Sequence, residues 1–281
     1  MRWRTGRRSS NIEDRRGGIG GPAKAGGIGL VLMLVVAWLM GADPIQLLGI
    51  AGSNLGGSDS SDQVQLSAAD REDGEFVSAV MAQTEDVWNP IFKAAGATYR
   101  EPTLVLFTDE TTSGCGYSSA ATGPFYCPAD QKVYIDLGFF RELKKLGAPG
   151  DFARAYVIGH EVAHHVQNLL GTSGKVTNLQ RRVSSTDANR LSVLLELQAD
   201  CYAGVWANRA HQQMNVLEQG DIEEGLQAAA SIGDDRMQRM AGRRINPDAF
   251  THGSSEQRMQ WFTTGLRYGD LQRCDTFADL Q

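Results

Sequence analysis

The chain has 281 residues, 42% of them apolar, and a formal net charge of −6. That suffices for one folded domain plus a tail, with an ordinary apolar share and no positive excess to suggest nucleic acid as a partner. The average hides a split, because residues 1–27 carry seven Arg or Lys against only Glu13 and Asp14, and the remainder is acidic.

Residues 1–27 are rich in Arg, Gly and Ser and read as a basic, disordered cytoplasmic tail. Residues 26–42 hold no charge and include the unbroken apolar run 30–40, which reads as a short transmembrane anchor over 28–42. The basic flank predicts a single pass of the inner membrane, with the N-terminus inside and the C-terminal part periplasmic or extracellular. A cleaved signal peptide is the rival, but no clear small-x-small cleavage site follows. Residues 43–65, with Gly and Ser concentrated from Gly52 to about Asp62, read as a flexible linker. Residues 66–281 remain for the folded domain.

Within that domain, Ser67 opens a helix to about Trp88, with Phe76, Val80, Thr84 and Val87 on one side. Residues 103–107 and 132–137 read as strands, and Cys115 to Cys127 as a glycine-containing loop with an edge strand. Asp151 is a candidate N-cap and Gly171 a candidate stop for the next helix. Further helices are expected at about 187–212, 219–231, 234–242 and 255–267. Ser254 and Gln257 fit a capping box at the start of the last one. This order predicts an α+β fold, with a small sheet beside one central helix and a mainly helical C-terminal half.

The central helix carries His160-Glu161-Val162-Ala163-His164. Residues i and i+4 share a helix face, so His160 and His164 can grip one ion, and Glu161 lies where it can reach a water on that ion as a general base. Catalytic zinc usually takes three protein ligands and keeps one position open. The third is expected from Glu196-Leu197-Gln198-Ala199-Asp200, again two acids one turn apart. Glu196 could complete the ligand set, and Asp200 could accept the outer N–H of a ligand histidine. A metzincin would need Gly and His where Gln167 and Leu170 stand, and a di-iron bundle would need a second Glu-x-x-His. His165 points away from the shared face, and His211 lies near a helix end; neither is assigned to the metal.

These two segments together resemble the gluzincin group of zinc peptidases. More closely, the chain resembles a bacterial family of neutral zinc metallopeptidases. The likeness is carried by Cys115-Gly116-Tyr117, Gly123 to Pro128, Val133 to Asp136, the helix through His165, Glu196 to Gly204 and Thr251 to Ser255. The resemblance implies a zincin-like fold, Zn2+ held by His160, His164 and Glu196, Glu161 as catalytic base, and Asp200 supporting a ligand. It also implies an edge strand, near Ala120 to Tyr126, that pairs with an extended peptide or protein substrate.

The expected reaction is hydrolysis of an internal peptide bond by a metal-activated water, with Glu161 as base. His252, rigid at a loop-to-helix corner, is the candidate donor to the oxyanion; Tyr202 and Tyr134 are alternatives. A catalytically silent, zinc-stabilised domain that binds envelope proteins is the alternative function. Cys115 and Cys127 bracket a loop that a disulfide could close, which would leave Cys201 and Cys274 to pair. Four cysteines nonetheless allow three pairings.

Overall fold

The computed structural model describes residues 1–16, 66–119 and 122–278. The segments expected as anchor (28–42) and linker (43–65) lie outside the described residues. Met1–Asp14 and Ala68–Gln281 form one compact unit; the second unit, Arg15–Ser67, lies almost wholly outside the described residues.

The architecture is α+β. A four-stranded sheet has the order β1 (Ile12–Asp14), β2 (Thr103–Phe107), β6 (Lys132–Asp136), β5 (Phe125–Cys127); a hairpin of β3 (Glu110–Ser113) and β4 (Gly116–Ser119) stands apart from it. β1, β2 and β6 run parallel, with Leu104 opposite Val133 and Leu106 opposite Ile135, whereas β5 is antiparallel to β6. Side chains alternate between the two faces of a strand. Leu104, Leu106, Val133 and Ile135 therefore join the main helical core, while Val105, Phe107 and Tyr134 form a smaller cluster with Cys127 on the other face.

Eight α-helices are described: α1 (Ala68–Ala94), α2 (Gly138–Lys145), α3 (Asp151–Leu169), α4 (Thr172–Gln180), α5 (Ser185–Met214), α6 (Asp221–Ser231), α7 (Asp234–Met240) and α8 (Ser255–Tyr268). The apolar side expected for α1 is fully buried: Phe76, Val80, Thr84 and Val87 are all inaccessible. The capping box at Ser254 and Gln257 is present. α2 and α4 were not foreseen: α2 is only eight residues long with Phe140 and Leu143 buried, and α4 carries a single buried apolar residue, Val176.

The start of α3 differs from expectation. Gly150 is the N-cap and Asp151 the first helical residue. The Phe152 amide donates to the Glu224 carboxylate of α6 at 3.0 Å, so a distant acid satisfies an amide left open at the helix end. Asp151 instead receives the Met1 ammonium at 2.7 Å, and that ammonium also donates to Asp221 at 3.2 Å. It thereby fills the acidic cluster of Asp151, Asp221 and Glu224.

The basic tail requires a correction. Residues 1–14, expected to be disordered and across a membrane from the domain, belong to the domain. β1 pairs with β2 through Ile12 and Leu104. Trp3 is buried edge-on against Phe76 with ring centres 5.4 Å apart. Arg7 reaches the buried Glu85 carboxylate at 2.6 Å. An N-terminus hydrogen-bonded into the sheet cannot lie across a bilayer from that sheet. Among the described residues, moreover, no helix is long and apolar enough to cross a membrane. The single-pass inner-membrane arrangement, N-terminus inside and domain outside, is therefore not supported.

Two disulfides are formed, Cys115–Cys127 and Cys201–Cys274. The first links the start of β4 to the end of β5, and the second ties the C-terminal segment to α5.

Candidate metal centre

α3 and α5 supply the side chains expected to hold the metal. They approach closely because α3 carries Gly159, where a Cβ would sit 2.7 Å from the Trp206 ring of α5. α8 lies even closer to α5: a Cβ at Gly265 would collide with the Cys201 carbonyl, and one at Gly204 with the Phe262 carbonyl. Three glycines thus bring three helices together around one point, a contact that larger side chains would block.

At that point His160 Nε2 lies 3.1 Å from Glu196 Oε2, and His164 Nε2 lies 3.3 Å from Glu196 Oε1. Each of these residues offers one ligand atom, and those atoms all fall within 4.8 Å of one another. Zinc bonds to nitrogen and oxygen of about 2.0–2.1 Å give a tetrahedron with edges of about 3.3 Å, close to both separations.

The protonation pattern also suits a cation. His160 Nδ1 lies 2.9 Å from Asp200 Oδ1, which can only accept, so Nδ1 carries a proton and Nε2 is the nitrogen turned toward Glu196. His164 Nδ1 lies 2.9 Å from Gln167 Oε1. The Gln167 amide is oriented by donating to the Leu195 carbonyl at 2.7 Å and to Gln198 Oε1 at 3.1 Å, so its oxygen faces His164. Both histidines thereby turn Nε2 toward Glu196.

Asp200 is fully buried and accepts four hydrogen bonds, from His160, from the Tyr156 hydroxyl, and from Arg258 Nε at 2.9 Å and Nη2 at 3.0 Å. Burial alone would raise its pKa, but Arg258 and His160 together hold it below the ordinary carboxylate value. Arg258 is only 1% exposed. Burial likewise works against a charged His160, yet Asp200 and then Glu196 outweigh it and push its pKa up to about 10. Burial works against a charged Glu196 too, but His164 and His160 carry it well below the ordinary value. Burial raises Glu161, opposed by His164 and His160.

A cleft of about 760 Å³ opens over this group. His160, Glu161, His164 and Glu196 line it with His252 and Arg258; Thr122 to Tyr126 and Phe139 form one wall, and Ser173, Thr177, Asp234 and Met237 form others. β5 has only β6 as a sheet neighbour, so its outer edge is unpaired by any described strand. Ala120 and Ala121, part of the expected substrate edge, lie outside the described residues.

His252 sits in this cleft beside Asp234. Asp234 Oδ2 accepts the amides of Thr251, His252 and Gly253 at 2.7, 2.6 and 3.0 Å, and Asp234 Oδ1 lies 3.3 Å from His252 Nδ1. The Asp234 carboxylate raises the pKa of His252, against its partial burial. Tyr134 and Tyr202 are absent from the cleft lining; the Tyr134 hydroxyl donates to Asp130 at 2.6 Å. His165 contacts the Tyr126 hydroxyl and the Arg100 carbonyl, away from Glu196, and burial lowers its pKa to about 4.

Arg258, Tyr156, Gln167 and Asp234 escaped the sequence reading of the site. One signal was available for Arg258: the buried positions of α8 are 258, 262 and 265, a helical stripe with an arginine where an apolar residue is expected.

The chain is similar to known proteins over most of its length. The chain is 47% identical over 288 residues to "Uncharacterized protein YpfJ" of Escherichia coli K12, covering 99% of both chains. It is 42% identical over 203 residues to "Uncharacterized protein Rv2575" of Mycobacterium tuberculosis H37Rv, covering 68% of this chain and 66% of the relative. No solved structure matches it. Residues 1–277 match the sequence profile of the family described as "Putative neutral zinc metallopeptidase", and the chain belongs to that family.

Proposed function

We propose that this protein is a zinc-dependent endopeptidase, with His160, His164 and Glu196 as metal ligands and Glu161 as general base. The observation that carries this reading is the arrangement of the histidines. Both outer Nδ1 atoms are held by acceptors, both Nε2 atoms converge on Glu196, and a buried carboxylate stands beside them in an open cleft.

Zinc in such a site polarises the scissile carbonyl and acidifies a water. Glu161 takes the proton of the attacking water on a carboxylate oxygen and returns it to the departing amine. Its burial makes it a stronger base than a solvated carboxylate. Asp200, fixed by Arg258 and Tyr156, holds the His160 ring in place. His252 donates from Nε2 to the oxyanion; its Nδ1 faces the Thr251 hydroxyl at 3.0 Å and Asp234 at 3.3 Å, and the raised pKa supports the doubly protonated form. The free edge of β5 can accept extended substrate backbone.

Internal bonds suit the lining best. Arg258 is spent on Asp200, and Asp234 is spent on three amides and His252. Among the described lining residues outside the metal group, this leaves His252 as the remaining cation, and it is assigned to the oxyanion and not to a substrate terminus.

Two variants test the reading. Glu161→Gln is expected to keep its zinc, by metal analysis, and to lose at least about 100-fold in peptide cleavage. Glu196→Ala is expected to lose zinc. Undiminished cleavage by the first, or full metal content in the second, would remove that residue from its role.

A further inference from the structure

Charge is unevenly spread beyond the N-terminal segment. Residues 172–190 and 236–250 together hold eight Lys or Arg against two acids, whereas the rest of the chain after residue 27 holds 12 against 29. Arg181, Arg182, Arg243 and Arg244 are exposed, and none has an ion-pair partner among the described residues. Other arginines of this acidic protein find carboxylates, among them Arg7, Arg154 and Arg258.

The two segments meet. Asn189 donates to the Asp248 carbonyl at 2.9 Å, and Arg190 lies 3.6 Å from the Asp248 carboxylate. Gln180 reaches forward to the Ala188 carbonyl at 3.0 Å. Each segment or its helix also borders the candidate active-site cleft: Ser173 and Thr177 of α4 line one wall, and Asp234 and Met237 of α7 another. Exposed apolar side chains stand among the cations, namely Leu179, Val183, Met240 and Ile245.

We infer that this surface is a substrate-docking extension of the cleft that selects polypeptides with an acidic cluster to one side of the scissile bond; this rests on the peptidase reading. Continuity with the cleft favours a polypeptide over a lipid surface, since a chain leaving the metal along these walls runs onto the guanidinium groups. Spacing follows from the helix. From Glu196 back to Ser184, where the Arg181–Arg182 pair adjoins α5, the rise is about 18 Å at 1.5 Å per residue. An extended peptide covers that in about five or six residues. The acidic cluster therefore belongs about five or six residues from the bond that is cut.

The test uses the full chain carrying Glu161→Gln and two fluorescent peptides of one sequence, with four Glu or four Gln in that flank. Anisotropy at low salt is expected to show about tenfold tighter binding of the Glu peptide, shrinking as salt shortens the reach of exposed charges. Adding R181Q, R182Q, R243Q and R244Q is expected to abolish the preference while the circular dichroism melt is unchanged. Equal binding of the two peptides overturns the inference. So does a preference that survives the four substitutions, or binding to phosphatidylglycerol vesicles without binding to the Glu peptide. Cleavage by the parent separates this from the underlying function. If both peptides are cut equally well, the docking surface falls and the peptidase stands. If neither is cut but the arginine-dependent preference persists, the peptidase falls and the acidic-chain surface stands.

Discussion

Asp234 shows how one carboxylate can set the working range of a neighbour. It caps three successive amides and raises the pKa of His252, so the donor form of the imidazole survives to higher pH. Activity should therefore climb with pH as Glu161 ionises and fall as His252 loses its proton. Asp234→Asn removes the anion, lowers the His252 pKa toward its ordinary 6.5, and should shift the alkaline limb of the pH–rate profile to lower pH. The acidic limb should stay in place. An alkaline limb that does not move would assign it to another group. At this scale the two histidines and Glu161 were legible because helical spacing alone puts them on one face. Arg258 and Asp234 were not, because their partners lie 58 and 18 positions away, where no local pattern reaches.

At the scale of elements, the longer helices carrying periodic apolar residues were readable, although α1 runs on to Ala94 past the expected end at Trp88; α2 was missed because it spans only eight residues, and α4 for want of an apolar stripe. The crossing of α5 and α8 could not be read, because glycine marks turns and close packing alike. Gly265 is of the second kind, with a φ outside the left-handed region and the Cys201 carbonyl against it. Gly265→Ala should push α8 off α5 and lower the unfolding free energy by about 1–3 kcal/mol or more. Because α8 carries Arg258 and α5 carries both Glu196 and Asp200, zinc affinity should weaken in the same variant. A denaturant midpoint and a zinc titration that both match the parent would show that the interface can absorb the methyl group.

For the whole molecule, the largest departure from the sequence reading is the first fourteen residues. Their Arg-rich composition reads as a solvated tail, yet the arginines are matched to acids on α1: Arg7 to Glu85 and Asp86, Arg8 to Glu75. Composition counts charges without showing which surface awaits them. Trp3→Ala should lower the unfolding free energy by about 3 kcal/mol, as for a large buried aromatic. A disordered tail would give no change in the urea midpoint. The docking of this segment also sets a schedule for biosynthesis. Met1 finds its partners in Asp151 and Asp221, 150 and 220 positions later. Closing so long a loop is slow. Until α6 has been translated, the Met1 ammonium lacks its Asp221 partner, whereas Trp3 already has Phe76 of α1.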